Sequence, residues 1–421
     1  MAYKKPDVDY TSSRVPMEGR KSNISMFMVM LGFPFFSASM WAGQNLAAGL
    51  NFGGFIGALI LGGVILGLYT GTLGYIGAKT GLTLDMLAHR SFGRKGSWLP
   101  SAMISFTQMG WFGVGLAMFA IPVAKEFLGL EVTPDHMPYQ GYILVAVAGL
   151  LMTASAYYGI KSLTIISWIA VPLVGIVGTI AMIMAIHRGD ASLVDQFAKV
   201  NDGSLTIIAG AGLVIGSFVS GGTATPNFAR FSKTAKVGFW VTVVAFFLGN
   251  SLMFFFGAAS SIYVGGNDIF EVMLNLNRIM FYVSVLVLGL NIWTTNDNAL
   301  YSSGLGLCNI FGFSKKTMVL IAGIIGTVSA VWLYWNFCGW LNILNCTLPP
   351  IGAILIVSYF LNRDDYMSDD VQIKSVNWAS VIGVILGATV ANLLHWGIAS
   401  INGMVVAVAC YLIGNAISTK K

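Results

Sequence analysis

Leu288-Gly-Leu-Asn-Ile-Trp-Thr-Thr-Asn-Asp-Asn-Ala-Leu-Tyr-Ser-Ser-Gly304 lies in the middle of a long apolar run, yet it carries Asn291, Thr294, Thr295, Asn296, Asp297 and Asn298. Polar side chains are costly at bilayer depth, so a cluster this dense must face protein or a water-filled cavity. Asn291, Thr294, Thr295 and Asn298 recur at i, i+3, i+4 and i+7, which puts them in one stripe on a helix. A stripe of neutral oxygens suits a weakly held hard cation, and the neighbouring amides suit a small polar solute. One or two such residues would read as hydrogen-bonding glue between membrane helices. Six within eight positions read as a transport site.

The rest of the chain supplies the membrane. Of 421 residues, 56% are hydrophobic and 10% charged, with a mean hydropathy of +0.77, which is a polytopic membrane protein and not a soluble domain. Residues 22–78 contain no Asp, Glu, Lys or Arg and are long enough for two spans, with a turn at 49–54. Runs 96–124, 137–160, 162–187, 203–229 and 237–267 hold one span each. Run 279–314 holds one more, interrupted only by Asp297, and 317–362 and 375–419 hold two each. The expectation is an all-α polytopic membrane protein of twelve transmembrane helices with no soluble domain. With a cytoplasmic amino end, 19 of the 23 Lys and Arg fall on the cytoplasmic side, and only Lys125, Arg188, Lys199 and Arg278 lie opposite. Lys4, Lys5, Lys420 and Lys421 belong to that cytoplasmic majority, so both termini are expected there. This topology also accounts for the basic pI near 9 without a nucleic-acid partner. The amino end has no small-residue cleavage signature, so no removable signal peptide is expected.

Two spans read as broken at mid-membrane. The first contains Leu31-Gly-Phe-Pro-Phe-Phe-Ser-Ala-Ser-Met-Trp41, and the sixth contains Ile215-Gly-Ser-Phe-Val-Ser-Gly-Gly-Thr-Ala-Thr-Pro226. A break frees backbone amides and carbonyls, tolerable only where they line a cavity or meet a ligand. Breaks five spans apart are the mark of inverted repeats with a substrate site between them. In the third span Gln108 and Trp111 are i and i+3 and share a face, which Gly115 continues without bulk. An amide beside a flat aromatic suits a planar heterocycle, stacked by the ring and read at its edge by the amide. Phe218 could supply the opposite wall.

Other chemistries find little support. His89, His136, His187 and His395 are too scattered for a metal site, and Cys308, Cys338, Cys346 and Cys410 read as buried, inert thiols. There is no Walker loop, so ATP is not a partner, and no GxSxG or HExxH, so the chain is not an enzyme. The segment 363–374 reads as a solvated turn. A passive channel is opposed by the two breaks and the lack of a continuous polar pore.

From about Phe27 to the carboxyl end, the chain closely resembles the bacterial cytosine permeases of the nucleobase–cation symporter-1 family. The matching stretches are Phe35-Phe-Ser-Ala-Ser-Met-Trp41, Leu73-Gly-Tyr-Ile-Gly-Ala-Lys-Thr-Gly-Leu-Thr83, Lys95-Gly-Ser-Trp-Leu-Pro-Ser101, Gly110-Trp-Phe-Gly-Val-Gly115 and residues 288–304. Pro34, inside the first break, departs from the pattern. The resemblance implies a single membrane domain over 1–421 with the leucine-transporter-type fold: a cytoplasmic tail 1–22, one five-helix repeat over 23–187, an inverted second over 203–362, and helices 11 and 12 over 375–416. It also implies a monomer in the bacterial inner membrane that imports cytosine with Na⁺ by alternating access. By matched position it puts stacking rings at Trp111 and Phe218, base-edge contacts at Gln108, Asn296 and the region of Ser220 with the Ser37 backbone nearby, and Na⁺ ligands at the Gly32, Phe36 and Asn291 carbonyls and the Thr294 and Thr295 hydroxyls. The rival expectation is a related carrier of another planar ring, such as uracil, a purine, hydantoin or allantoin, coupled to protons through Asp297.

Overall fold

The computed structural model describes residues 9–418 except 267, 268 and 395, and leaves the side chains of 162, 163, 338, 341, 342 and 418 undescribed. His395, Lys4, Lys5, Lys420, Lys421 and the Cys338 side chain therefore lie outside the described residues.

Among the described residues twenty α-helices follow one another: α1 (Asn23–Leu31), α2 (Ser37–Gly49), α3 (Phe52–Thr80), α4 (Leu84–Phe92), α5 (Trp98–Leu128), α6 (Tyr139–Tyr157), α7 (Ile160–Ile186), α8 (Leu193–Val200), α9 (Ile207–Thr223), α10 (Pro226–Ala229), α11 (Ala235–Val244), α12 (Asn250–Val264), α13 (Ile269–Leu276), α14 (Arg278–Phe311), α15 (Lys315–Trp335), α16 (Phe337–Thr347), α17 (Pro349–Leu361), α18 (Arg363–Met367), α19 (Trp378–Leu393) and α20 (Ala399–Ser418). A π-helical turn, Ala245–Gly249, joins α11 to α12 without interruption. Among the described residues no strand forms, and nine helical segments are long and apolar enough to cross a membrane. Helices α9 and α19 are apolar but shorter. The starts are conventional: Asn51, Thr206, Asn277 and Ser314 cap α3, α9, α14 and α15 through their side chains.

Both expected interruptions are present. The first falls between α1 and α2, over residues 32–36. Pro34 has no N–H to continue α1. The turn that replaces it uses Phe35 N to Leu31 O (3.2 Å) and Phe36 N to Pro34 O (2.9 Å), leaving the Gly32 and Phe33 carbonyls without a backbone partner. In the sixth span the Gly221-Gly222 pair stays helical, and the chain breaks at Ala224–Thr225, just before Pro226. Proline sits at the first position of α10 and needs no donor there, so the break falls at the residues before it.

The core is largely apolar but also encloses a set of polar side chains, and the exterior carries many large apolar ones. Asn291, Asn296, Asp297 and Asn298 are fully buried, whereas Leu150, Ile324, Val328 and Trp332 are exposed to the surroundings. At Gly43 and Gly257 an added Cβ would collide with the backbones of Phe254 and Met40, so α2 and α12 pack with main chains in contact.

The lysine- and arginine-rich end is tied together by residues 9–22. Arg14 donates to the Thr80 (2.8 Å) and Tyr366 (2.9 Å) carbonyls, and Arg20 to those of Ala78 (2.5 Å) and Ser232 (2.7 Å). Asp9 pairs with Lys315 at 2.5 Å, and the buried Arg230 donates to the Asp9 (2.6 Å) and Tyr10 (2.8 Å) carbonyls. Segment 363–374 is largely exposed, as expected of a solvated turn, but it is anchored at Tyr366. It contains α18, whose Tyr366 is buried and donates to Ser358 Oγ at 2.8 Å. The thiols differ from expectation: Cys346 is buried, but Cys308 and Cys410 are only half-buried.

Helix α4 docks beside this end through a one-way chain of hydrogen bonds. Asn309 Nδ2 donates to Ser97 Oγ (3.0 Å) and Ser101 Oγ (2.8 Å), Ser101 Oγ donates to the buried Asp85, and Asn309 Oδ1 meets His89 Nε2 at 2.6 Å. Burial pushes the Asp85 carboxyl up to about 6 against the opposing effect of the Ser101 bond, and burial lowers His89.

Candidate functional site

The break between α1 and α2 faces the polar stripe of α14. Asn291, Thr294, Thr295 and Asn298 form that stripe because the helix runs unbroken from Arg278 to Phe311. Thr294 Oγ1 donates its one proton to the Asn291 carbonyl at 2.7 Å. It nevertheless stands 3.4 Å from the Gly32 carbonyl, so those two oxygens approach with no proton between them. Thr295 Oγ1 is likewise 3.4 Å from both the Gly32 and Phe33 carbonyls. A good O–H···O bond is about 2.7–2.8 Å long. Oxygens around a hard cation of calcium's size sit about 2.3–2.6 Å from it, so neighbours at right angles are about 3.3–3.7 Å apart. The observed spacing therefore fits oxygens grouped around a small cation better than oxygens bonded to each other. Of the matched ligand set, Gly32, Asn291, Thr294 and Thr295 come together. The Phe36 carbonyl instead accepts from Ser39 N at 2.9 Å, and Phe33 joins the group in a role the sequence did not suggest. All contributors are neutral, which suits a monovalent ion that must leave again.

Toward the centre of the bundle, α5 and α9 present the aromatic walls. Trp111 and Phe218 are parallel within 9°, with ring centroids 6.2 Å apart. Phe36 stands on edge against both, at 5.9 and 6.3 Å. A planar ring sandwiched between two others needs about 7 Å, two contacts of roughly 3.5 Å each. The clamp is thus preset in angle but drawn together by about 1 Å. Phe337 packs edge-on against Trp111 (5.9 Å) and stacks on Trp41 (4.8 Å, 8°), and Trp41 also stacks on Tyr334 (5.7 Å). One face of the clamp is therefore roofed by aromatic rings from α2, α15 and α16. In the sequence, spacing from Gln108 marks Trp111 and the place beside the second break suggests Phe218; nothing in the local sequence singles out Phe337.

The amides are placed unequally. Gln108 Nε2 donates to Ser220 Oγ (2.8 Å), and Ser220 Oγ donates to Thr107 Oγ1 (3.0 Å). That chain fixes the orientation of the Gln108 amide across α5 and α9. Asn296 Nδ2 donates to the Phe112 carbonyl (3.2 Å) and contacts Met152 Sδ (3.1 Å), which leaves Asn296 Oδ1 buried without a partner. Ser37 Oγ and both amide atoms of Asn291 and Asn298 are also buried without hydrogen-bond partners. Orphaned polar atoms in a core cost free energy unless a guest satisfies them. Here they gather beside the clamp and the α14 stripe.

Asp297 turns away from this set. Its Oδ1 accepts from Ser155 Oγ at 2.5 Å, and Ser155 Oγ accepts from Trp293 Nε1 at 2.6 Å. These bonds tie α14 to α6. Asp297 Oδ1 thus braces the helix that carries Asn296, while Asp297 Oδ2 is buried without a hydrogen-bond partner. Among the described residues no three His, Cys, Asp or Glu side chains gather as a metal site. Nor do a nucleophile and a base meet beside the clamp.

Comparison with known proteins places this site in a family. The chain is 47% identical to the cytosine permease of Escherichia coli over 418 residues, covering 99% of this chain and 96% of that protein. It is 26% identical to the hydantoin permease of Microbacterium maritypicum over 372 residues, covering 79% of this chain and 73% of the relative. Among solved structures it superposes on Mhp1, a nucleobase-cation-symport-1 family transporter in a closed conformation with bromovinylhydantoin bound, with a TM-score of 0.80 at 19% identity. That match covers 97% of this chain and 95% of Mhp1, and the inward-facing conformation of Mhp1 gives 0.76. These likenesses fix the fold, which is the fold of a membrane transporter and not of an enzyme. The family model for permeases of cytosine/purines, uracil, thiamine and allantoin matches residues 14–414, and the chain belongs to that family.

Proposed function

We propose that this protein imports cytosine together with Na⁺, as a multi-pass transporter of the bacterial inner membrane. One observation carries the reading: the parallel Trp111–Phe218 clamp stands beside the Gln108–Ser220 pair and the orphaned Asn296 Oδ1, with the Thr294 and Thr295 hydroxyls of the same stretch of α14 each 3.4 Å from the Gly32 carbonyl. The cytosine permeases at 47% identity support the substrate. A Na⁺-coupled sialic acid symporter of the same general fold, at 13% identity and a TM-score of 0.58, is consistent with the architecture.

In this reading twelve crossings arise when the α1–α2 and α9–α10 pairs each count as one span. Residues 23–187 and 203–362 are then the two inverted repeats, and 375–416 supplies the last two helices. Both ends of the chain are cytoplasmic, and the working unit is a monomer. Sodium enters from outside and settles among the Gly32, Phe33 and Asn291 carbonyls and the Thr294 and Thr295 hydroxyls, with the Phe36 carbonyl turning in on binding. Filling that group steadies the break and so positions Ser37 and Phe36 beside the base. The base parts Trp111 and Phe218 by about 1 Å and lies between them. Gln108 and Asn296 read its edge; each amide can donate or accept, so its bonds to Ser220 and Phe112 set which it offers. Linkage then requires cytosine to tighten Na⁺ by the factor by which Na⁺ tightens cytosine. Release inward needs the strap of residues 9–22 to leave the cytoplasmic mouth.

The test is uptake of radiolabelled cytosine into proteoliposomes with an inward Na⁺ gradient, with K⁺ in its place, and with a pH gradient alone. Uptake driven by Na⁺ and competed by cytosine more strongly than by uracil, hydantoin or allantoin supports the reading. Uptake driven by the pH gradient alone would replace Na⁺ with protons, and preferential competition by another ring would replace the substrate.

A further inference from the structure

Ser167, on α7, has no role in the reading above. It is 1% exposed, and its hydroxyl has no hydrogen-bond partner. A hydroxyl within an apolar helix ordinarily bonds back to the carbonyl one turn earlier. Two other hydroxyls of the same helix do so: Thr164 to Ile160 O (2.8 Å) and Thr179 to Gly175 O (2.7 Å). Ser167 forgoes that bond and aims at the first break. An ideal Cβ built on Gly32 would lie 2.9 Å from Ser167 Oγ and 3.4 Å from Ser167 Cβ. Gly32 is the residue whose carbonyl stands 3.4 Å from both Thr294 and Thr295 hydroxyls. Its own N–H is already donated to Met28 O at 2.9 Å, so it has no proton left for Ser167.

We propose that Ser167 supplies a further oxygen to the coupling-cation site, so that the ion is held from three sides: the α1–α2 break, α14 and α7. The proposal rests on the Na⁺ reading and deepens it. A neutral hydroxyl adds an oxygen ligand without adding charge, which keeps the site weak enough to empty. It also gives the ion a hold on α7, which packs against both α1 and α14. Filling the site then fastens α7 to the break, and emptying it frees α7. The same contact accounts for glycine at position 32, because any side chain there would occupy the space between the break and Ser167.

The test is Na⁺-dependent thermal stabilisation of the purified protein in detergent, at constant ionic strength with K⁺ as the balancing ion, so no transport is needed. Ser167→Ala removes the oxygen. Ser167→Cys keeps the size and offers a soft sulfur that a hard cation binds poorly. Thr295→Ala serves as the reference for losing one oxygen. Loss of one neutral oxygen contact is expected to raise the Na⁺ midpoint about five- to tenfold in both Ser167 variants. Cytosine affinity at saturating Na⁺ should stay within about twofold of the parent on the same grounds. Unchanged Na⁺ midpoints in both Ser167 variants, beside a raised midpoint in Thr295→Ala, would overturn the proposal. So would loss of cytosine binding at saturating Na⁺ in both, which would make Ser167 a packing residue. If the parent protein itself shows no Na⁺-dependent stabilisation, the Na⁺ reading fails, and the proposal with it, on a separate arm of the experiment.

Discussion

Gly115→Ala is the sharpest probe of how the base is read. An ideal Cβ at Gly115 would lie 2.5 Å from Asn296 Oδ1 and 3.3 Å from Asn296 Cγ and Ile292 Cγ2. That is about 0.9 Å inside ordinary carbon–oxygen contact. The Asn296 amide cannot swing away freely, because Nδ2 is tied to the Phe112 carbonyl at 3.2 Å and the residue is fully buried. The methyl therefore covers or displaces the one amide atom that has no protein partner. Folding should change little: crowding costs about 1–3 kcal/mol, and the Gly-to-Ala gain within a helix offsets about 1 kcal/mol of it. Binding should suffer more. A base acceptor or donor left unpaired in a buried site costs about 1–3 kcal/mol, a roughly 5- to 150-fold rise in Kd. The assay is equilibrium binding of labelled cytosine at saturating Na⁺, with the melting temperature as a check on folding. The same substitution in an Asn296→Ala background isolates the cause, since it should then add almost nothing. Full cytosine affinity in a stable Gly115→Ala protein, or an equal loss in both backgrounds, would refute a direct role for Asn296 Oδ1.

Three further outcomes are expected. Trp111→Ala should weaken cytosine about 5- to 150-fold, because stacking a base on an aromatic ring is worth about 1–3 kcal/mol, while Trp111→Phe should keep most of the affinity; equal binding by all three proteins would remove Trp111 from the site. Asp297→Asn keeps an acceptor for Ser155 and should lower the melting temperature while preserving Na⁺-driven uptake and the preference for cytosine over uracil; abolition of a pH-driven uptake instead would make Asp297 a proton carrier. Asp85 titrates near 6 in the folded protein against 3.8 ordinarily, so the folded state holds the extra proton between those values. Its contribution to stability therefore falls as pH rises from about 4 to 6, by about 3 kcal/mol at most, and is flat above. Asp85→Asn should flatten the melting temperature over that window relative to the parent; parallel pH profiles would contradict the burial argument.

What the sequence determined by itself follows from one-dimensional signals. Long uncharged runs demand membrane helices because a bilayer core tolerates no unsatisfied backbone. The α14 stripe was legible because a helix repeats every 3.6 residues, so spacing alone put Asn291, Thr294, Thr295 and Asn298 together. Pro34 and Pro226 announced the two breaks, and within the second stretch the helix continued through the glycines at 221 and 222 to Thr223. The pairing of Trp111 with Phe218 and the identity of the ligand oxygens came from resemblance to a family, not from the spacing of this chain. Tertiary structure decided the rest, because periodicity names a helix's own face but not the face opposite it. Only packing brings Gln108 to Ser220, sets the two rings parallel at 6.2 Å, roofs them with Phe337 and turns the Gly32 and Phe33 carbonyls toward the threonines. Only packing ties Asp297 to Ser155 and points Ser167 at Gly32. The residues in each of these contacts lie on different helices, most of them more than a hundred positions apart, and no local pattern encodes a meeting between two such faces. The pattern fixed which groups the membrane would force inward; the close approach of the helices fixed which of them would find a protein partner and which were left for a guest.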